Sequence, residues 1–341
     1  MNFKVPIFAA MLMTATSAVT ADGSVKLEGA GATFPAPLYK QWISTYRNID
    51  PKTTIEYAVV GSGEGVSRFL GNKTDFGASD APLTDEQLKS AKQGAIVVPA
   101  TAGMIALVYN LPGLNGPLKL SRETYTALLM GKIPRWNDAR IQATNPGLNL
   151  PDREIVLVAR VDGSGTTYAL TTHLNAVNPA WSNRGPGVGK LVSWPVGTML
   201  MNGNEGVAAR VKLATGAIGY VEYGFAKQLN LPMAVLENKA GNYVAASDES
   251  GAAAIASNSA KGERDIASVL IDPMGANSYP MVSYSWLLLK KDYGDAAKSS
   301  ALKRFVTWGL ETGQDSAQSK GYLRLPANVS QLGKELLATI H

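Results

Sequence analysis

The stretch Arg160-Val161-Asp162-Gly163-Ser164-Gly165-Thr166-Thr167 decides the fold. It follows a β-like run, Glu154-Ile155-Val156-Leu157-Val158-Ala159, and precedes helical spacing over residues 168–177. A glycine-rich turn between strand and helix aims free backbone N–H groups, and the positive end of the helix dipole, at one spot. Ser164 and Thr166 add hydroxyl donors, and Arg160 adds a planar, permanently charged fork suited to an oxyanion. The combination predicts an anion site of the phosphate type. A turn whose glycines only supply unusual backbone angles, with Ser and Thr capping the helix, explains this one stretch equally well. Other stretches have to decide.

Three of them repeat the event. Val25-Lys26-Leu27-Glu28-Gly29 alternates like a short strand and runs into Gly29-Ala30-Gly31-Ala32-Thr33-Phe34-Pro35-Ala36-Pro37. Leu38, Trp42, Ile43 and Tyr46 then recur at helical spacing, so Thr33 and Phe34 sit where a hydroxyl and N–H groups can meet an anion. Thr54-Ile55-Glu56-Tyr57-Ala58-Val59-Val60 is a second strand, ending in the turn Gly61-Ser62-Gly63-Glu64-Gly65 with Ser62 as donor, before a helical 66–70. Asp75-Phe76-Gly77-Ala78-Ser79-Asp80-Ala81-Pro82 reads as a short buried strand ending at Asp80, with a helix cap following. Repeated strand, small-residue turn and helix start indicate an open α/β sheet whose ligands sit beyond the strands' carboxyl ends.

Residues 95–100 and 104–109 read as two further strands, 121–130 and 166–177 as helices, 218–223 and 281–289 as strands, and 296–311 as a last helix. Crossovers near 99–101 and 279–283 would make the first lobe discontinuous, residues 22–100 with 280–341, and leave 101–279 as the second. Residues 1–21 carry one lysine, Lys4, then an apolar small-residue run closing in Val19-Thr20-Ala21, the pattern of a secretory signal peptide cleaved after Ala21. The run is shorter than the ~20 residues of a spanning helix. The chain has no cysteine, which excludes a lipid-anchored lipoprotein and leaves stability to the core. Export without an anchor points to the bacterial periplasm. Of 341 residues, 32 are basic and 27 acidic, and the signs are interspersed, so no nucleic-acid partner is expected.

Two tempting motifs fail. Asn183-Arg184-Gly185-Pro186-Gly187-Val188-Gly189-Lys190-Leu191 lacks the first glycine and the Ser/Thr after lysine that a nucleotide P-loop needs, and reads as a surface loop. Hydrolase chemistry lacks a base: the two histidines are His173, inside a helix, and His341, and no G-x-S-x-G elbow occurs. A zinc or iron centre is equally ill supplied, so no metal, cofactor or catalytic residue is expected. The six tryptophans are scattered as core residues are.

Taken together, the stretches 29–37, 75–82 and 162–166, with Asn145-Pro146-Gly147-Leu148 and Gly216-Ala217-Ile218-Gly219-Tyr220-Val221-Glu222-Tyr223, resemble the periplasmic phosphate-binding proteins of bacterial high-affinity phosphate ABC transporters. The resemblance covers nearly all of the chain after residue 21. It implies a type II periplasmic binding protein: two α/β lobes, a two-strand hinge and one phosphate in the interlobe cleft. It implies a monomer that delivers phosphate to a membrane permease and ATPase complex, and it implies no catalysis. Carried over by motif, the ligands are Thr33, Phe34, Ser62 and Asp80 on one side, and Arg160, Asp162, Ser164, Gly165 and Thr166 on the other. The family's second turn usually reads Gly-Ser-Ser-Gly-Gly; here Gly63 drops a hydroxyl and Glu64 adds an acid, which is expected to face solvent. Asp80 is the expected specificity residue. It can accept the O–H of mono- or dibasic phosphate, whereas sulfate at neutral pH brings no proton. Arg160 is expected to contact phosphate while Asp162 holds it. A related oxyanion, or a phosphate-binding surface or adhesive protein, are the alternatives.

Overall fold

The computed structural model describes residues 23–259 and 270–341; the expected signal peptide, residues 1–21, lies outside them. Eleven strands among these residues are β1 (Val25–Gly31), β2 (Thr53–Val59), β3 (Phe76–Ser79), β4 (Ala95–Tyr109), β5 (Lys119–Leu120), β6 (Val156–Arg160), β7 (Met199–Met201), β8 (Ala217–Glu222), β9 (Val235–Glu237), β10 (Tyr243–Val244) and β11 (Val282–Lys290). Eight form one curled sheet in the order β2-β1-β3-β11-β4-β8-β6-β7, and β10-β9-β5 form a small second sheet. β1 runs parallel to β2 and β3, and β6 runs parallel to β7 and β8, so each end of the large sheet carries its own parallel set.

β4 joins the two ends. Residues 95–104 of this strand pair antiparallel with β11, and residues 105–109 pair antiparallel with β8. The sequence predicts a break between two strands here, because Pro99 and Gly103 weaken a strand. One continuous strand of 15 residues forms instead. Neighbours on both sides satisfy its backbone, and a register shift opposite Ser285 and Trp286 places Ala100 as the extra residue of a bulge next to Pro99, where a missing N–H costs least. This bulged pair, β4 with β11, is where the chain passes between the two ends of the sheet.

Four helices start directly beyond parallel strands: Ala36–Ile49 after β1, Ser62–Leu70 after β2, Gly165–Val177 after β6 and Gly203–Leu213 after β7. Their apolar faces explain the starts: Leu38, Tyr39, Trp42 and Tyr46 of the first, and Leu170 and Leu174 of the third, are buried. The second helix begins at Ser62, so the expected turn 61–65 is mostly first helical turn, with Gly61 at φ +89° as its cap. Trp42, Trp136 and Trp181 are fully buried, as core residues should be. Among the described residues no helix is long and apolar enough to cross a membrane.

Candidate functional site

The carboxyl ends of β1, β2, β3 and β6 bring Thr33, Ser62, Asp80 and Arg160 together, although 127 positions separate the first from the last. All four are buried, as are Phe34, Ser164, Gly165 and Thr166. The two sides touch. The Gly63 N–H donates to the Gly163 carbonyl at 2.7 Å. A Cβ on Gly165 would lie 2.5 Å from Ser62 Oγ and 2.6 Å from Asp80 Cβ, so only glycine lets this helix start approach the opposite turn. The turns after β2 and β3 are therefore in direct contact with the turn after β6.

Arg160 is held rigidly. Its Nε donates to Asp162 Oδ1 at 2.6 Å, its Nη2 donates to Asp162 Oδ2, and its backbone N–H donates to the Tyr220 hydroxyl at 3.1 Å. Its Nη1 is buried without a hydrogen-bond partner among the described residues. A buried guanidinium nitrogen is costly to leave unpaired, so this atom calls for an acceptor in the cleft. Asp162 also accepts the Gly203 N–H at 3.0 Å. Burial pushes its carboxyl up, but the hydrogen bonds and charge of Arg160 outweigh that and hold it below the usual range. Both its oxygens are engaged, so what Asp162 offers an anion is the orientation of Arg160.

Ser164 caps the helix Gly165–Val177 by accepting the Thr167 N–H at 3.0 Å. The first-turn N–H groups of Gly165 and Thr166 have no carbonyl within that helix to bind. The Ser164 N–H donates to the Lys190 carbonyl at 2.9 Å. The segment 183–191 is thus more than the surface loop its sequence suggests: Asn183 and Arg184 end the short helix Ala180–Arg184, and Lys190 comes to rest against the site turn.

Asp80 faces this cluster from β3. Ser285 Oγ donates to its Oδ1 at 2.7 Å, and Ser62 Oγ lies 3.4 Å from its Oδ2. Burial pushes its carboxyl up, the Ser285 hydroxyl and the charges of Arg160 and Lys190 pull part of the way back, and the result is about 7. A cavity of about 250 Å³ opens behind it, lined by Tyr168, His173, Met281, Tyr284 and Trp286. His173 is fully buried, its Nε2 3.0 Å from the Tyr125 hydroxyl, and burial lowers it to about 4, so it stays neutral. Glu64 is exposed and pairs with Arg68 at 2.8 Å, away from the cleft.

Sequence reasoning missed Asn204, Ser285, Tyr220 and Tyr322. Asn204 Nδ2 donates to Thr33 Oγ1 at 2.9 Å and to Thr166 Oγ1 at 3.2 Å, and Tyr322 Oη donates to the Phe34 carbonyl at 2.5 Å. Asn204 had a signal: Met201-Asn202-Gly203-Asn204 is one more strand end, glycine and helix start. Ser285 and Tyr322 had none, since they approach from a central strand and from the C-terminal segment.

A model of the PBP superfamily domain matches residues 16–311. The phosphate-binding protein PstS of Pasteurella multocida is 39% identical over 321 residues, covering 94% of this chain and 92% of that protein. This chain belongs to the PstS family of phosphate-binding proteins. The PstS of Xylella fastidiosa is 38% identical over 307 residues, covering 90% of this chain and 83% of its own. Among solved structures, a high affinity periplasmic phosphate-binding protein bound with phosphate superposes with a TM-score of 0.74 at 21% identity, covering 91% of this chain and 93% of that one. At that identity the likeness bears on the fold, which is the two-domain binding-protein architecture.

Proposed function

We propose that the chain binds one inorganic phosphate between its two lobes, without catalysis, and delivers it to an ABC importer. The observation that carries this is the unpaired, buried Nη1 of Arg160, a residue whose charge acts on a buried carboxyl, Asp80. An acceptor is needed at one side and a ligand proton at the other, and a phosphate bearing an O–H supplies both. Thr33, Phe34, Ser62 and Asp80 hold it from the lobe of residues 22–100 and 280–341. Arg160, Ser164, Gly165 and Thr166 hold it from the lobe of 101–279, with Asp162 aligning Arg160. The PstS relatives are named as binding proteins, which agrees with a non-enzymatic role. Working in the periplasm as a monomer, after removal of residues 1–21, fits the same reading, as does a permease and ATPase complex as recipient of the closed form.

The test is calorimetric titration of protein freed of ligand by unfolding and refolding. One-to-one phosphate binding is expected, with sulfate silent near pH 8, above the range in which Asp80 takes up its proton. A folded protein that gives no phosphate heat would overturn the proposal.

A further inference from the structure

Asn204 is wholly buried at the start of the helix Gly203–Leu213 and every polar group of its side chain is engaged. Its Oδ1 accepts the Glu222 backbone N–H at 2.9 Å, which fixes the amide's orientation: turned over, it would set two donors against each other. Its Nδ2 therefore donates to Thr33 Oγ1 and to Thr166 Oγ1. The Asn204 N–H lies 3.3 Å from the same Thr33 oxygen. Thr33 Oγ1 thus accepts twice, which fills both its lone pairs, and its own hydrogen has to point elsewhere. Thr166 Oγ1 accepts once and is left with a hydrogen to give.

We infer that Asn204 is a positioning residue for anion recognition, resting on the phosphate reading: it turns two threonine hydroxyls, one from each lobe, into donors aimed at the ligand. The threonine corner of the cleft then presents a donor from each hydroxyl, with both lone pairs of Thr33 filled and one of Thr166 occupied, and so favours unprotonated oxygens. That bias leaves the Asp80 side as the better place for the ligand's O–H. The Thr33 contact spans residues 171 positions apart and joins the two lobes, so the same amide makes this polarity a property of the closed state.

The experiment is a double-mutant cycle read by phosphate calorimetry. Asn204→Ala is made in the natural chain and in a Thr33→Val/Thr166→Val background, which keeps side-chain shape and removes the hydroxyls. In the natural chain it is expected to weaken phosphate binding by about tenfold or more, the loss of one charge-assisted hydrogen bond. In the valine background the same change is expected to cost almost nothing further. An equal loss in both backgrounds would mean that Asn204 only fills space, and would overturn the inference. Should Asn204→Ala not fold, Asn204→Asp keeps the acceptor for the Glu222 N–H. Its added charge cancels in the cycle, so a smaller loss in the valine background supports the inference and an equal loss overturns it. The wild-type titration separates the two claims: no phosphate binding by the natural chain defeats the phosphate reading, whereas tight binding with an uncoupled cycle defeats only the role of Asn204.

Discussion

Asp80 and Arg160 are opposite charges placed so that neither fully satisfies the other. Burial raises the Asp80 carboxyl to about 7, well above its unfolded value, so the folded state holds its proton more tightly than the unfolded chain does. Without ligand, stability from this group is full below the unfolded carboxylate range and is lost as pH rises toward about 7. Asp80→Asn removes that loss, and its ligand-free melting temperature is expected to exceed wild type near pH 8 and to converge with it near pH 4, by scanning calorimetry. The same titration bears on specificity. As pH falls through about 7, a protonated Asp80 can donate rather than accept, so sulfate is expected to compete increasingly with phosphate. In Asp80→Asn that competition is expected at every pH. Sulfate excluded from wild type at pH 5 as firmly as at pH 8 would show that something other than the Asp80 proton rejects it. At Arg160 the decisive feature is a planar fork, two arms of which are fixed by Asp162 while the third is free. Lysine offers one point charge, so Arg160→Lys is expected to weaken phosphate by about ten- to a hundredfold with the fold intact, by the same titration.

The helix Gly165–Val177 carries the tightest approach across the site, because its first residue is packed against Ser62 and Asp80. Gly165→Ala puts a methyl group against Ser62 Oγ and Asp80, where there is no room for it. It is expected to leave the protein folded but open by small-angle scattering, and to weaken phosphate by about a hundredfold or more, since the competent state becomes rare. This element and the turns after β1 and β3 were legible in the sequence, because glycines, hydroxyls and apolar spacing lie next to one another along the chain. The turn after β2 was legible in its donor, Ser62, but not in its length: nothing local showed that the helix starts at Ser62 itself. The continuity of β4 was illegible for a different reason. Pro99 and Gly103 argue against a strand locally, and the β11 and β8 partners that override them come from far along the sequence. Ser285, Tyr322 and the resting place of Lys190 are likewise products of tertiary packing. Gly63 reads in sequence as a lost hydroxyl; in the fold its N–H makes the link to Gly163.

For the whole molecule, a ligand that binds only the closed native state stabilises it by mass action, by about 4 kcal/mol at a thousand times its dissociation constant. Phosphate is therefore expected to raise the melting temperature in proportion to the logarithm of its concentration, while sulfate near pH 8 leaves it unmoved. Equal shifts from both anions would indicate a general salt effect. The bond between Gly63 and Gly163 carries one more consequence. With the turns joined there, and Asp80, Arg160, Ser62 and Thr166 all shut off from water, a phosphate held among them would be enclosed. Its escape is then expected to wait on the separation of the turns at Gly63 and Gly163, so excess unlabelled phosphate outside should not shorten its lifetime in an isotope-exchange measurement.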